Sequence, residues 1–190
     1  MIPEGLARLR PLRLASRSPQ RRAILTMLGI EFDVVEPAYD EPDLPGAPAE
    51  IAVGHARAKA ASVEGDCVLG VDTLVVVSGR VLGKPAGERE AREYLSLLSG
   101  RTHAVHSGLC LRAGGVEHIR AAVTDVTFAP IDPSDLDWYL ASGEWRDRAG
   151  GYAVQGRGAA LVRSIAGDYT NVVGLPVPAL IDAMAAVPIR

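Results

Sequence analysis

The run CVLGVDTLVVV (67–77) constrains this chain more than any other segment. It is rich in β-branched residues and long enough for a central strand. Yet Asp72 sits in its middle. An Asp in a central strand is disfavoured both by propensity and by the loss of its hydration, so it must face a cleft, be paired, or hold a cation. The segment that demands a buried strand thus also marks a candidate site.

Around this strand the punctuation is regular. RLAS (13–16) reads as a short strand running into a helix over 19–28, with Ser18 as N-cap, Pro19 at the first helical position and Gly29 as the stop. An alternating strand, IEFDVVE, leads into the acidic loop 37–50, whose four prolines forbid a regular element. A helix is predicted over 48–62, and Ser78-Gly79 reads as a two-residue hairpin loop after the central strand. EREAREYLSLL is an amphipathic helix closed by Gly100; two antiparallel strands then meet at Ala113-Gly114-Gly115. Asp132 caps a helix ending at Gly143, the glycine-dense stretch 148–176 reads as strands with tight turns, and PVPALIDAMAAV makes a last helix. Alternating strands and helices with intervening hairpins predict an α/β fold with a mixed sheet. At 190 residues the chain suits one domain, or two small lobes sharing a core.

Hydrophobic residues at 48% against 23% charged exclude a chain that cannot build a core. A net charge of −3 supplies no overall positive field, so neither nucleic acid nor an anionic membrane is expected as a partner, and an anionic ligand must meet a local basic site. Aromatics at 5% leave little for base stacking and predict an aliphatic core. Cys67 and Cys110 lie in apolar stretches and read as buried thiols. The N-terminal segment with Arg8, Arg10 and Arg13 has no apolar run of leader length, and no stretch approaches a membrane span; the cytoplasm is the expected location.

Three features put polar groups where an aliphatic core has no need of them. SRSPQRR (16–22) joins a strand to a helix N-terminus, where unpaired N–H groups, Ser16 and Arg21 form a potential anion site. Asp72 is the second. Lys84 in GKP is the third, brought towards Asp72 by the hairpin. Asp40-Glu41 adds carboxylates and Lys59 of HARAKA a cation on a helical face. Acids for a hard cation and bases for phosphate oxygens are what a magnesium-bound polyphosphate requires. Neither GxxxxGK[ST] nor a GxGxxG after a strand is present, and His55, His103, His106 and His118 lack zinc-ligand spacing and read as structural.

SRSPQRR, the DE of AYDEPD, HARAKA, GVDT, VLGKP, LSGRTHAVHSG, AGGYAVQG and GDYTNVVGLP occur in the order and approximate spacing of the Maf family of nucleoside triphosphate pyrophosphatases, which the chain resembles over about 12–180. The resemblance implies an elongated, curved mixed sheet with flanking helices and two lobes around a cleft, similar to inosine triphosphate pyrophosphatases. It implies cleavage of a nucleoside triphosphate between the α and β phosphates with Mg²⁺ or Mn²⁺. It makes Asp72 the proton acceptor, Glu41 and Asp72 the metal-holding acids, and Ser16, Arg21, Lys59 and Lys84 the phosphate contacts. Similar proteins are commonly homodimers.

Substrate choice rests on three places. The family branch acting on dTTP and UTP typically reads SPRR, DT and IQG, and the 7-methyl-GTP branch SPWRR, DQ and SEG. Here they read SPQRR, GVDT and VQG. Thr73 and Gln155 match the pyrimidine branch, whereas Gln20 replaces the usual Arg and Arg22 matches the other. A Gln155 amide can both donate to and accept from a uracil or thymine edge. The resemblance thus implies removal of dTTP, UTP and modified pyrimidine nucleotides. The alternatives are a 7-methyl-GTP or broad-specificity pyrophosphatase and, from another class, a nucleotide-binding regulator of cell division.

Overall fold

The structure, a computed structural model, describes residues 11–188; Arg8 and Arg10 lie outside them. In chain order the elements are β1 (Leu12–Ala15), α1 (Pro19–Met27), β2 (Phe32–Val35), α2 (Pro48–Ala61), β3 (Cys67–Val77), β4 (Arg80–Leu82), α3 (Glu88–Leu98), β5 (Thr102–Ala113), β6 (Val116–Phe128), α4 (Pro133–Leu140), β7 (Val162–Ala166), α5 (Tyr169–Val173) and α6 (Val177–Ala185). The strands pair in the order β2-β1-β3-β5-β6-β7, with β4 on β3, as an open mixed sheet flanked by helices. β1 is parallel to both β2 and β3, whereas β3–β4 and β6–β7 are antiparallel. No helix among the described residues is long and apolar enough to cross a membrane.

The chain forms two compact units. Among the described residues, the first holds those up to Asp72 together with 107–122 and 174–188; the second holds 73–106 and 123–173. In the first unit, α2 lies close over the sheet because the strand residues beneath it are glycines. A Cβ on Gly70 would enter the Ala56 carbonyl oxygen, and one on Gly108 the backbone at Ala52. Small residues pack on both sides, giving a core cluster of Ala15, Ala56, Ala60, Val63, Val68 and Cys110. Cys67 and Cys110 are buried free thiols, and burial pushes each up to about 11, so neither is a reactive nucleophile near neutral pH.

The core is mainly aliphatic, as expected, but the second unit concentrates its aromatic residues. Tyr94, Phe128, Tyr139, Trp145 and Tyr152 pack there with Val75, Leu82, Leu95 and Leu98. A low overall aromatic share left open where those residues gather, and here they gather in one cluster. The stretch 148–176 departs from the predicted run of strands. It forms 3₁₀ turns at Ala149–Gly151 and Gly156–Leu161, the single strand β7 and the short helix α5. Gly150 at φ 71° takes a left-handed conformation that interrupts either regular element.

Candidate active site

The first turn of α1 follows from its sequence. Pro19 occupies the first helical position and Ser18 caps it, the Ser18 hydroxyl accepting the Arg21 N–H at 3.4 Å. β1 ends at Ala15, so Ser16 stands just past the strand, buried, and its Oγ accepts from the Ser18 N–H and from Arg21 Nη1, both at 3.1 Å. With both lone pairs engaged, the Ser16 proton is the part of that hydroxyl left to donate. Arg21 is held at its other end by Nε donating to the Gly174 carbonyl at 2.9 Å. Burial lowers the Arg21 guanidinium from its ordinary value, and the Asp72 and Glu41 carboxylates pull it back up. The strand-to-helix junction therefore lies within electrostatic reach of both acids. The Gln20 amide oxygen accepts from Ser18 Oγ at 3.1 Å, which ties Gln20 into the cap itself.

Asp72 and Lys59 are each only 5% exposed, and the ammonium of Lys59 donates to Asp72 Oδ1 at 2.6 Å. The same ammonium meets Glu41 Oε1 at 2.7 Å. Two carboxylates around one buried ammonium offset the cost of removing it from water, a cost of several kcal/mol for an unpaired ion. Of the three outcomes open to a strand Asp, this one is paired. Only one of its oxygens is used, however: Asp72 Oδ2 is buried with no hydrogen-bond partner. An orphaned carboxylate oxygen in the interior is costly unless a ligand, water or cation completes it.

Glu41 reaches Lys59 from a backbone at φ 47°, a left-handed conformation that a residue with a Cβ adopts at a cost of about 1–2 kcal/mol. Its loop is fastened two residues upstream, where the Tyr39 hydroxyl meets His55 Nδ1 at 2.9 Å. Burial raises the Tyr39 phenol, with further upward contributions from Glu41 and Asp72, so the hydroxyl that meets His55 stays protonated near neutral pH. His55 and Lys59 are one helical turn apart on the buried face of α2. One helix face thereby anchors the acid loop twice.

Among the described residues no three Asp, Glu, His or Cys side chains converge as a metal cage. Two carboxylates, one with an unpartnered buried oxygen, are hard oxygen donors of the kind that would suit a divalent cation.

Thr73, Lys84 and Gln155 belong to the second unit. The β3–β4 ladder ends at the pair Val75 and Leu82, and Thr73 and Lys84 each lie two residues beyond it on the same end of the hairpin. The Gly83 carbonyl accepts the Gly150 N–H at 3.0 Å, which ties the Lys84 turn to the glycine-rich segment that leads to Gln155. Lys84 and Gln155 are both exposed. Of the predicted set, Ser16 and Arg21 are joined directly, and Glu41, Lys59 and Asp72 form one ion-paired group. Sequence reasoning missed Tyr39, His55 and the Gly174 carbonyl. The four-residue spacing of His55 and Lys59 on one helix was the available clue to the second of these.

A model of the family described as Maf-like protein matches residues 11–187. The dTTP/UTP pyrophosphatase of Symbiobacterium thermophilum is 47% identical over 173 residues, covering 88% of this chain and 89% of its own length. Proteins of the same description from Thermus thermophilus and Pyrococcus furiosus are 45% and 41% identical, each covering 88% of this chain, with 89% and 90% of their own lengths covered.

Proposed function

The chain belongs to the Maf-like protein family, and on that premise we propose that it hydrolyses dTTP and UTP to the nucleoside monophosphate and pyrophosphate. The observation that carries this reading is the divided carboxylate of Asp72: Oδ1 is held by Lys59, and buried Oδ2 has no partner. A carboxylate so oriented suits a water molecule it can align and deprotonate. The water oxygen then bonds to the α phosphorus, the bridging bond from that phosphorus to the β-phosphate oxygen breaks, and pyrophosphate leaves with the bridging oxygen.

In this reading Ser16, Arg21 and the N-terminus of α1 hold phosphate oxygens, and Lys59 and Lys84 contact the polyphosphate. Glu41 and Asp72 would hold a divalent cation, Mg²⁺ or Mn²⁺, which when bound polarises phosphoryl oxygens and neutralises developing charge. Gln155 and Thr73 contribute the choice of base, with the exposed Gln155 amide suited to a uracil or thymine edge. The relatives named dTTP/UTP pyrophosphatase support the pyrimidine assignment.

One observation favours a broader second reading. Gln20 is uncharged and its amide oxygen is taken by Ser18, so the usual arginine contact at that place is absent and 7-methyl-GTP or purine triphosphates would meet less discrimination. Hydrolysis of a panel containing dTTP, UTP, CTP, 5-methyl-UTP, 7-methyl-GTP and the four common purine triphosphates separates the two. Preference for dTTP and UTP supports the first reading, and preference for 7-methyl-GTP or equal rates on all nine overturns it.

A further inference from the structure

Gln155 occupies the N-cap position of the 3₁₀ turn Gly156–Leu161, yet its side chain makes no capping hydrogen bond. Ser, Thr, Asp or Asn at such a position would use its own side chain to satisfy the exposed N–H groups that follow, and glutamine is not among these capping residues. Here an acid eleven positions upstream does so instead. Glu144 Oε1 accepts the Arg157 N–H at 2.9 Å and Oε2 accepts the Gly158 N–H at 3.1 Å. A Cβ on Gly156 would stand 2.6 Å from Glu144 Oε1, and Gly156 itself is at φ 68°, so only glycine lets the carboxylate approach this backbone.

Glu144 is itself fixed. Its N–H donates to Ser142 Oγ at 3.0 Å, and that hydroxyl donates to the Tyr139 carbonyl at 2.6 Å. The other side of Gln155 is pinned as well. The Ala153 N–H donates to the Tyr139 hydroxyl at 3.0 Å, and the Tyr152 hydroxyl meets His103 Nε2 at 2.8 Å. The chain on both flanks of Gln155 is thus tied down, upstream to the buried Tyr139 and His103 and downstream to the half-buried Glu144, while the exposed amide is not committed to its own turn.

We propose that Glu144 is the positioning residue for base recognition: by capping the turn from outside, it sets the direction in which the Gln155 amide is presented to the nucleobase. This rests on the reading of Gln155 as the base contact. The acid touches neither substrate nor the reacting phosphates, and it acts only through the backbone of 156–158.

The test compares UTP and CTP with the full chain and Mg²⁺, using wild type, Glu144→Ala, Glu144→Gln, Gln155→Ala and the Glu144→Ala/Gln155→Ala pair, each checked for its thermal midpoint. Glu144→Ala is expected to raise KM for UTP about tenfold, change kcat less than about threefold, and reduce the preference for UTP over CTP. Glu144→Gln keeps an acceptor oxygen and recovers most of that preference. It also carries the test, through an intermediate shift of about threefold, should the alanine variant not fold. In the Gln155→Ala background, Glu144→Ala adds no further loss of preference. Equal losses on UTP and CTP, or a preference loss that persists without Gln155, overturn the positioning role and leave the Gln155 reading standing. An unchanged preference in Gln155→Ala alone overturns the base-contact reading and the proposal with it.

Discussion

Asp72 uses its two oxygens differently, one held by Lys59 at 2.6 Å and the other buried and unpartnered. Asp72→Asn keeps the shape but removes the charge that can take a proton. UTP turnover is expected to fall by about 10²–10⁴-fold, measured as initial rates, with the far-UV spectrum unchanged because Glu41 still neutralises Lys59. Tyr39→Phe removes the hydroxyl that meets His55 and leaves Nδ1 unpaired; a loss of about 1 kcal/mol in urea unfolding is expected, with a higher Mg²⁺ concentration needed for half-maximal rate. The acids and bases of the site were legible in the sequence as residue types at their positions. Their pairing was not, because Glu41 reaches Lys59 from a left-handed backbone at the end of a proline-rich loop. Local propensity disfavours that conformation, and only the finished packing of α2 holds it. The resemblance singles out Gln155 as a specificity residue, but the capping of the turn after it by Glu144 depends on a tertiary approach that no spacing rule reveals.

At the scale of elements, the distance between α2 and β3 sets the Lys59–Asp72 pair. Gly70→Ala would place a methyl against the Ala56 carbonyl and near the Ala60 N–H, pushing the helix that carries Lys59 off the strand that carries Asp72. Such overpacking costs about 1–3 kcal/mol or more, read as a lower urea midpoint, and kcat should fall with it because the ion pair is displaced. Unchanged kcat in a folded Gly70→Ala variant would mean that the pair tolerates the shift. Most elements were legible: the long central strand, the Ser78-Gly79 turn and the capped helices α1 and α4 lie where apolar period and punctuation put them. The glycine-rich stretch was not, since glycine frees the backbone without saying which conformation tertiary contacts will select. There it became two 3₁₀ turns, the first tied by its backbone to Gly83, the second by the Glu144 side chain, with Ala153 between them held by Tyr139.

For the whole molecule, acid stability should report on a buried histidine. His103 is 2% exposed, and burial lowers it from 6.5 to about 4, with Asp125 pulling the other way. Between those values the unfolded chain binds the proton that the folded one refuses, so stability rises with pH across that window and its contribution is complete above about pH 6.5. About 3 kcal/mol should therefore be lost as pH falls from 7 towards 4, and His103→Gln should flatten that part of the urea-unfolding profile. A net charge of −3 with so few aromatics leaves the nucleotide to a local cluster of charges and to hydrogen bonds at the base. The central claim is that a water aligned by Asp72 attacks the α phosphorus, and hydrolysis of UTP in ¹⁸O-labelled water with Mg²⁺ tests it most directly. Label appearing in UMP, with unlabelled pyrophosphate as co-product and turnover by Asp72→Asn reduced at least about 10²-fold, is the predicted result. Label in the pyrophosphate, release of UDP and orthophosphate, or undiminished turnover by Asp72→Asn would contradict it.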